Sequence, residues 1–243
     1  MRAKKCRLLL LLLLAVEPAQ SGFWSAVWDC LSGLPHCHCQ WRECCRAPWY
    51  SPNLPHLKES LTANVFGQHL VTKLVTKKVK AHVENPDPKK ALVMSFHGWT
   101  GSGKNFVAKF IAESLFKLGM NSKFVHLFNS PYHFPDQKMA DIYKLRVQDW
   151  IRGNVTDCQN SLFIFDEIDK MPDGVIDGIK PFLDFYSSLD GQNYRKSIFI
   201  FLSNTGGRDI TKQTYKLWKE GRRREDIAYT DLEMLVNKEA FNE

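Results

Sequence analysis

The chain has 243 residues, 44% apolar and 24% charged, and a formal net charge of +7. That length allows one α/β domain with a real core and leaves little for a second. The positive excess is mild and partly sits in the first few residues, so the sequence carries no nucleic-acid footprint.

The first 21 residues read as a cleaved signal peptide. Arg2, Lys4, Lys5 and Arg7 precede an apolar run from Leu8 to Val16, and Ala19-Gln20-Ser21 presents small residues for cleavage. Nine apolar residues are too few for a membrane span, which takes about 20. Loss of this leader takes the net charge from +7 to +4. Residues 22–55 form a Cys/Trp/Pro-rich segment. Phe23, Trp24, Val27, Trp28 and Leu31 suit a peripheral contact at a membrane–water interface; a tether packed on the domain is the other reading. Cys30, Cys37, Cys39, Cys44 and Cys45 crowd together and Cys158 stands far downstream. In an oxidising compartment such a cluster is disulfide material, and its spacing fits no common zinc pattern. Cys158 needs a partner from that group.

Residues 56–243 carry the pattern of a nucleotide-binding core. Helices are predicted over Leu57–Thr62 and Gln68–Val83, the second stopped by Asn85-Pro86-Asp87-Pro88. A strand over Ala91–Phe96 follows, then a helix over Asn105–Leu118 closed by Gly119. Next come a strand over Phe124–Phe128, a helix over Asp141–Arg152 ended by Gly153, and a strand over Leu162–Phe165. A helix over Val175–Leu189 must kink or restart at Pro181. A strand over Ser197–Leu202 and helices near Thr211–Glu220 and Thr230–Ala240 complete the set. Apolar strands alternating with helices imply a parallel sheet covered on both faces. The basic run Arg222-Arg223-Arg224 reads as a solvated helix face.

Three strand ends carry chemistry. Gly98-Trp99-Thr100-Gly101-Ser102-Gly103-Lys104-Asn105 lies between a strand and a helix. Its glycines let backbone N–H groups turn toward phosphates, Lys104 reaches the outer ones, and Asn105 stands where a Ser/Thr hydroxyl usually meets Mg²⁺. An amide oxygen can also coordinate Mg²⁺. Asp166 and Glu167 emerge where ligands sit in open parallel sheets, Asp166 for the Mg²⁺ shell and Glu167 to orient the attacking water. Asn204 ends the next apolar strand, where an amide can help hold that water. The substrate implied is ATP with Mg²⁺. Asn154-Val155-Thr156 is an N-glycosylation acceptor. A small-molecule kinase would want a substrate lid and arginine-rich phosphate contacts, which are not found.

Several segments resemble the torsin family of AAA+ ATPases. They are Gly98–Asn105 with Asn last, Asn64-Val-Phe-Gly-Gln-His69, Trp150-Ile-Arg-Gly-Asn-Val-Thr156, Phe165-Asp-Glu-Ile-Asp-Lys-Met171, Ile179-Lys-Pro-Phe-Leu183 and Phe201-Leu-Ser-Asn204. The likeness runs from about Cys37 to Phe241 and is closest to the torsin-1 (torsin-A/torsin-B) branch. It implies a P-loop AAA+ fold related to the Clp/Hsp100 unfoldases, and an ATPase weak by itself. The implied site is the ER lumen and perinuclear space (nuclear envelope), and the implied work is chaperone-like remodelling of proteins or membranes. It also implies other torsin subunits as partners, and transmembrane activators of the inner nuclear membrane and ER whose lumenal domains supply an arginine finger. Cys158 would pair with an N-terminal cysteine, for which Cys39 is the candidate. The family continues beyond the equivalent of Glu243 into a fifth core strand and a helical lid. The expectation is therefore an AAA+ core lacking both, as an isoform or an incomplete gene product. The alternative function is a lidless, non-catalytic interaction module for torsin partners.

Overall fold

The computed structural model describes Cys39 and residues 42–241, with side chains through residue 235. The expected signal peptide and most of the Trp-rich stretch lie outside the described residues. A compact unit begins at Cys44. Its elements in order are α1 (Leu54–Asn64), α2 (His69–Val83), β1 (Leu92–His97), α3 (Lys104–Leu115), β2 (Val125–Asn129) and the single turn α4 (Ser130–His133). Then come α5 (Ala140–Asp157), β3 (Leu162–Asp166), α6 (Val175–Ile179), β4 (Ile198–Ser203), α7 (Gly207–Lys219) and α8 (Thr230–Phe241).

The four strands form one parallel sheet in the order β1-β4-β3-β2. Side chains alternate across a strand, and the sequence uses this to give the two faces different chemistry. Leu162 and Ile164 of β3 and Ile198, Ile200 and Leu202 of β4 meet α1, α2 and α3 through Leu57, Leu61, Val75, Val79, Ile111 and Leu115. Phe163, Phe165, Phe199 and Phe201 point the other way, onto Tyr143, Val147 and Ile151 of α5 and Val175 and Ile179 of α6. Those phenyl rings stack across the strands, Phe163 on Phe199 at 4.9 Å and Phe165 on Phe201 at 5.4 Å between centroids. Each such pair adds about 0.5–1.5 kcal/mol beyond its burial.

Register matters more for function than the core does. His97 pairs with Ser203, and Asn129 pairs with Asp166. The C-terminal ends of all four strands thus fall at one edge, and the residues just beyond them gather there.

The structure corrects several expectations. Cys158 is bonded to Cys45 with Cα atoms 5.2 Å apart, not to Cys39, which is itself disulfide-bonded along with Cys44. Backbone bonds explain the choice. Ser51 N–H donates to Leu115 O, Asn53 N–H to Ser114 O, and Lys117 N–H to Trp49 O. They lash residues 49–53 along the end of α3 and carry Cys45 into the core beside Cys158. The α5 helix does not stop at Gly153: Ile151 and Val155 are both fully buried, so packing at i and i+4 outweighs the glycine. The segment after Gly174 is α6 and then a separate 3₁₀ turn over Lys180–Leu183, restarted with Pro181 in its first turn. The arginine run is largely solvent-exposed, as expected, but it follows α7 and does not form a helix face. Arg222 pairs with Asp231 at 3.1 Å, Arg223 with Asp226 at 2.9 Å, and Arg224 donates to the carbonyl of Gly67.

One buried imidazole makes this core acid-sensitive. His126 on β2 is 8% exposed and lies between Phe163 and Trp150, with its Nε2 lacking a hydrogen-bond partner. Burial pushes its pKa down to about 4. The unfolded chain takes that proton near pH 6.5, so the folded state loses stability as pH falls from there toward 4, by up to about 3 kcal/mol. Denaturant titrations at pH 7 and pH 4.5 are expected to show His126→Phe losing much less stability than the parent over that interval.

Candidate functional site

The loop after β1 turns on two glycines with left-handed backbone. Gly101 has φ +77° and Gly103 has φ +95°, and a Cβ at either would meet only open space. It is backbone conformation, not crowding, that calls for glycine there. Gly103 is also the residue before α3, so the loop delivers its N–H groups at a helix N-terminus. A Cβ at Gly98 would fall 2.8 Å from Ser102 Oγ, which would have to rotate away. Trp99 and Thr100 are exposed on the loop's outer side, and Arg208 lies over the Trp99 ring at 6.0 Å.

Lys104 turns back into this loop. Its Nζ donates to Gly98 O at 2.7 Å, to Trp99 O at 3.2 Å and to Asn204 Oδ1 at 2.9 Å. The last bond ties the loop to the end of β4 across 100 residues of sequence. Burial lowers the Lys104 pKa, opposed by attraction to Asp166, Asp169 and Glu167. Next to it, Asn105 Nδ2 donates to Asp166 Oδ2 at 2.9 Å. A carboxylate only accepts, so this bond fixes the Asn105 amide and turns its Oδ1 away from Asp166.

The acid pair is held by its backbone. Ser130 Oγ, fully buried at the start of α4, donates to Asp166 O at 2.8 Å, and Asp166 Oδ1 accepts from the Glu167 N–H at 2.9 Å. Glu167 has φ +54°, a left-handed conformation that costs a non-glycine residue about 1–2 kcal/mol. A 3₁₀ turn over Ile168–Lys170 follows and brings Lys170 Nζ to Glu167 Oε1 at 3.0 Å.

Three further residues belong to the site that motif spacing did not single out. Asp169, from the same 3₁₀ turn, accepts from Asn204 N at 3.0 Å and Ser203 Oγ at 3.4 Å, with Asn204 Nδ2 at 3.5 Å from its other oxygen. The Asn204 amide is therefore oriented from both ends, Oδ1 toward Lys104 and Nδ2 toward Asp169. His97, at the end of β1, faces Thr205 O with Nδ1 and Ser95 Oγ with Nε2. A carbonyl only accepts, so Nδ1 carries the proton; burial lowers the His97 pKa. Gly207, the first residue of α7, lies against the phosphate loop, where a Cβ would fall 2.6 Å from Trp99 N and 2.7 Å from Gly98 C. Its only sequence signal was the Gly206-Gly207 pair after Asn204.

Asn154 is outside this cluster. It lies on α5 with its Nδ2 donating to Trp150 O at 2.8 Å. Cys158 belongs to the disulfide and Cys39 to the segment before the compact unit.

The donor set fits Mg²⁺. Asp166 offers a hard carboxylate oxygen, and Asn105 would add its amide oxygen by turning over from its bond to Asp166; Mg²⁺ commonly takes only one or two carboxylates plus substrate phosphates and water. Among the described residues no group of three or more His, Cys, Asp or Glu could hold a metal by itself.

A family model for torsins matches residues 39–165. The chain belongs to the torsin family. The fold extends that likeness beyond the matched part of this torsin. The S. cerevisiae Hsp104–ADP complex superposes with a TM-score of 0.53 at 21% identity, over 86% of this chain and 35% of that one. A closed-state reconstruction of Hsp104 with ATPyS and FITC casein gives 0.54 at 21% identity, over 87% and 36%. At that identity the likeness is one of fold, the AAA+ P-loop core. The torsin chain spans about a third of the length of these Hsp104 chains.

Proposed function

We propose that this torsin binds Mg²⁺·ATP at the C-terminal edge of its sheet and hydrolyses it. The observation that carries the reading is a double tie at the sheet edge: neighbouring Lys104 and Asn105 bond to Asn204 and Asp166, from two different strand ends. The loop N–H groups and Lys104 hold the phosphates, and Asp166 holds the cation, joined by the Asn105 amide oxygen once that amide turns over from its bond to Asp166. Bound Mg²⁺ neutralises charge on the phosphoryl oxygens. Glu167 orients and deprotonates the attacking water, and Asn204, set by Asp169, positions it.

The work done with that energy is chaperone-like remodelling of proteins or membranes in the ER lumen and nuclear envelope. The apolar leader and the Cys45–Cys158 bond support an oxidising, lumenal location. Other torsin subunits and the lumenal domain of a transmembrane activator complete the active assembly. Titration with ATP in the presence and absence of Mg²⁺, followed by turnover with and without such a domain, tests the proposal. Mg²⁺-dependent ATP binding and activator-dependent turnover are expected; a chain that binds no nucleotide overturns it.

Gly207→Ala gives a structural check. The new methyl would press on backbone atoms of the phosphate loop, which have no rotamer to escape into. ATP affinity is expected to fall by about tenfold, from roughly 1–3 kcal/mol of overpacking, in a protein that still melts cooperatively.

A further inference from the structure

Asn204 sits in the tight turn between β4 and α7, and that turn is gripped on both flanks. On the β3 flank, Asp169 accepts the Asn204 N–H at 3.0 Å and the Ser203 hydroxyl at 3.4 Å. Ser203 Oγ in turn accepts the Thr205 N–H at 3.0 Å. On the β1 flank, His97 Nδ1 donates to the Thr205 carbonyl at 3.3 Å. The Asn204 carbonyl accepts from the Gly207 N–H at 3.1 Å. Successive peptide groups from Ser203 to Gly206 are therefore each tied down. Past Thr205 come two glycines, the first with left-handed backbone at φ +72°. Glycine gives a chain little stiffness, so the last peptide group before the pair gains most from an outside clamp.

The clamp is itself fixed. Ser95, two residues before His97 and on the same face of β1, donates its hydroxyl to Nε2 at 2.7 Å. A carbonyl only accepts, so Nδ1 holds the proton and Nε2 offers the lone pair that Ser95 fills. With both nitrogens engaged, tautomer and ring plane are set together. The sheet has its own bonds here: β1 pairs with β4 in register from Leu92 to His97, and the Gly98 N–H donates to Ser203 O at 3.2 Å. The ladder joins the strands, and the imidazole reaches past it to the turn.

We infer that His97 is a positioning residue for Asn204: by clamping the Thr205 carbonyl, it holds the Asn204 amide in place once Lys104 exchanges its bond to that amide for the phosphates. The inference rests on the ATP site proposed above. Without nucleotide, Asn204 Oδ1 is tethered by Lys104 at 2.9 Å. A lysine that turns to phosphate releases that tether, and the amide then depends on the backbone beneath it. Asp169 secures one side of that backbone and His97 the other. His97 touches no reacting atom in this scheme and acts only through the turn.

The test measures ATP affinity and turnover of the full chain, with the activator domain, for the parent, His97→Ala and His97→Asn. In His97→Ala, turnover is expected to fall by at least about tenfold, since a misplacement of about 1 Å can cost about a hundredfold. ATP affinity is expected to change by less than about threefold, because the hydrogen bonds of His97 go to Ser95 and Thr205 and not to Lys104 or Asn105. Asn carries an amide nitrogen two bonds beyond Cβ, where His carries Nδ1, so His97→Asn is expected to recover most of the turnover. A purely structural imidazole would show neither the split between affinity and turnover nor the rescue. If His97→Ala does not melt cooperatively, the imidazole nitrogen spectrum of the parent at neutral pH decides: a proton on Nδ1 alone supports the clamp, and a proton on Nε2 overturns it. Unchanged turnover in His97→Ala, affinity lost in step with turnover, or His97→Asn as slow as His97→Ala each overturn the inference alone. A parent chain that binds no ATP overturns the proposed function, and this inference with it.

Discussion

Lys104→Ala is expected to cost at least about a hundredfold in ATP affinity while leaving the fold intact. The ammonium is the donor aimed into the loop from its own helix, and it already meets two loop carbonyls and the Asn204 amide. Hydrogen bonds to charged groups are worth about 1.5–3 kcal/mol, and the upper end applies where both partners are charged and water is partly excluded. Truncation to Ala frees two carbonyls of an otherwise unchanged loop. The loop's left-handed glycines also stay in place. Affinity measured by titration should collapse, and the melting temperature of the nucleotide-free protein should move by only a few degrees. Retained affinity would mean that the phosphates sit elsewhere and that the Lys104–Asn204 bond is only a structural tie.

The motifs that carry this prediction were readable because their geometry is local. Gly98–Asn105 runs from a strand end through a turn to a helix start within eight residues, and no tertiary contact is needed to see that Gly101 and Gly103 free the backbone. Asp166 and Asn204 were readable because each ends a run of buried residues, and parallel strands must place such ends at one edge. The alternation in Leu162-Phe163-Ile164-Phe165 and Ile198-Phe199-Ile200-Phe201 even sorts the two faces of the sheet.

What escaped the sequence depends on long-range contact. Asp169 looks like one more acid in an exposed turn, and only the 3₁₀ turn brings its carboxylate to Asn204. Gly207 gives no sign of pressing on Trp99, over a hundred residues away. The three arginines form an unremarkable basic run until Gly67, Asp226 and Asp231 are seen around them. Cys45 and Cys39 are equivalent by composition, and the lashing of residues 49–53 to α3 decides between them. Gly153 looks like a stop, but Val155 buries one turn further on and carries the helix with it.

Glu167→Gln is expected to separate binding from chemistry. The side chain leaves a strained, left-handed residue whose N–H is held by Asp166 and whose carboxylate meets Lys170 at 3.0 Å. Gln has the same length and shape, and its amide oxygen can keep the Lys170 contact, so the backbone has no new reason to relax. The phosphate loop, Lys104 and Asp166 are untouched. ATP affinity should therefore change by less than about threefold, whereas a neutral amide cannot take a proton from water. Removing a general base lowers turnover by about 10²–10⁴-fold. The measurement pairs an ATP titration with turnover in the activator-bound assembly, and uses Lys104→Ala alongside as the variant that loses both. Unchanged turnover in Glu167→Gln would take Glu167 out of the reaction. Loss of binding in step with turnover would instead make the carboxylate part of the cation site, competing with Asp166 for the role assigned to it here.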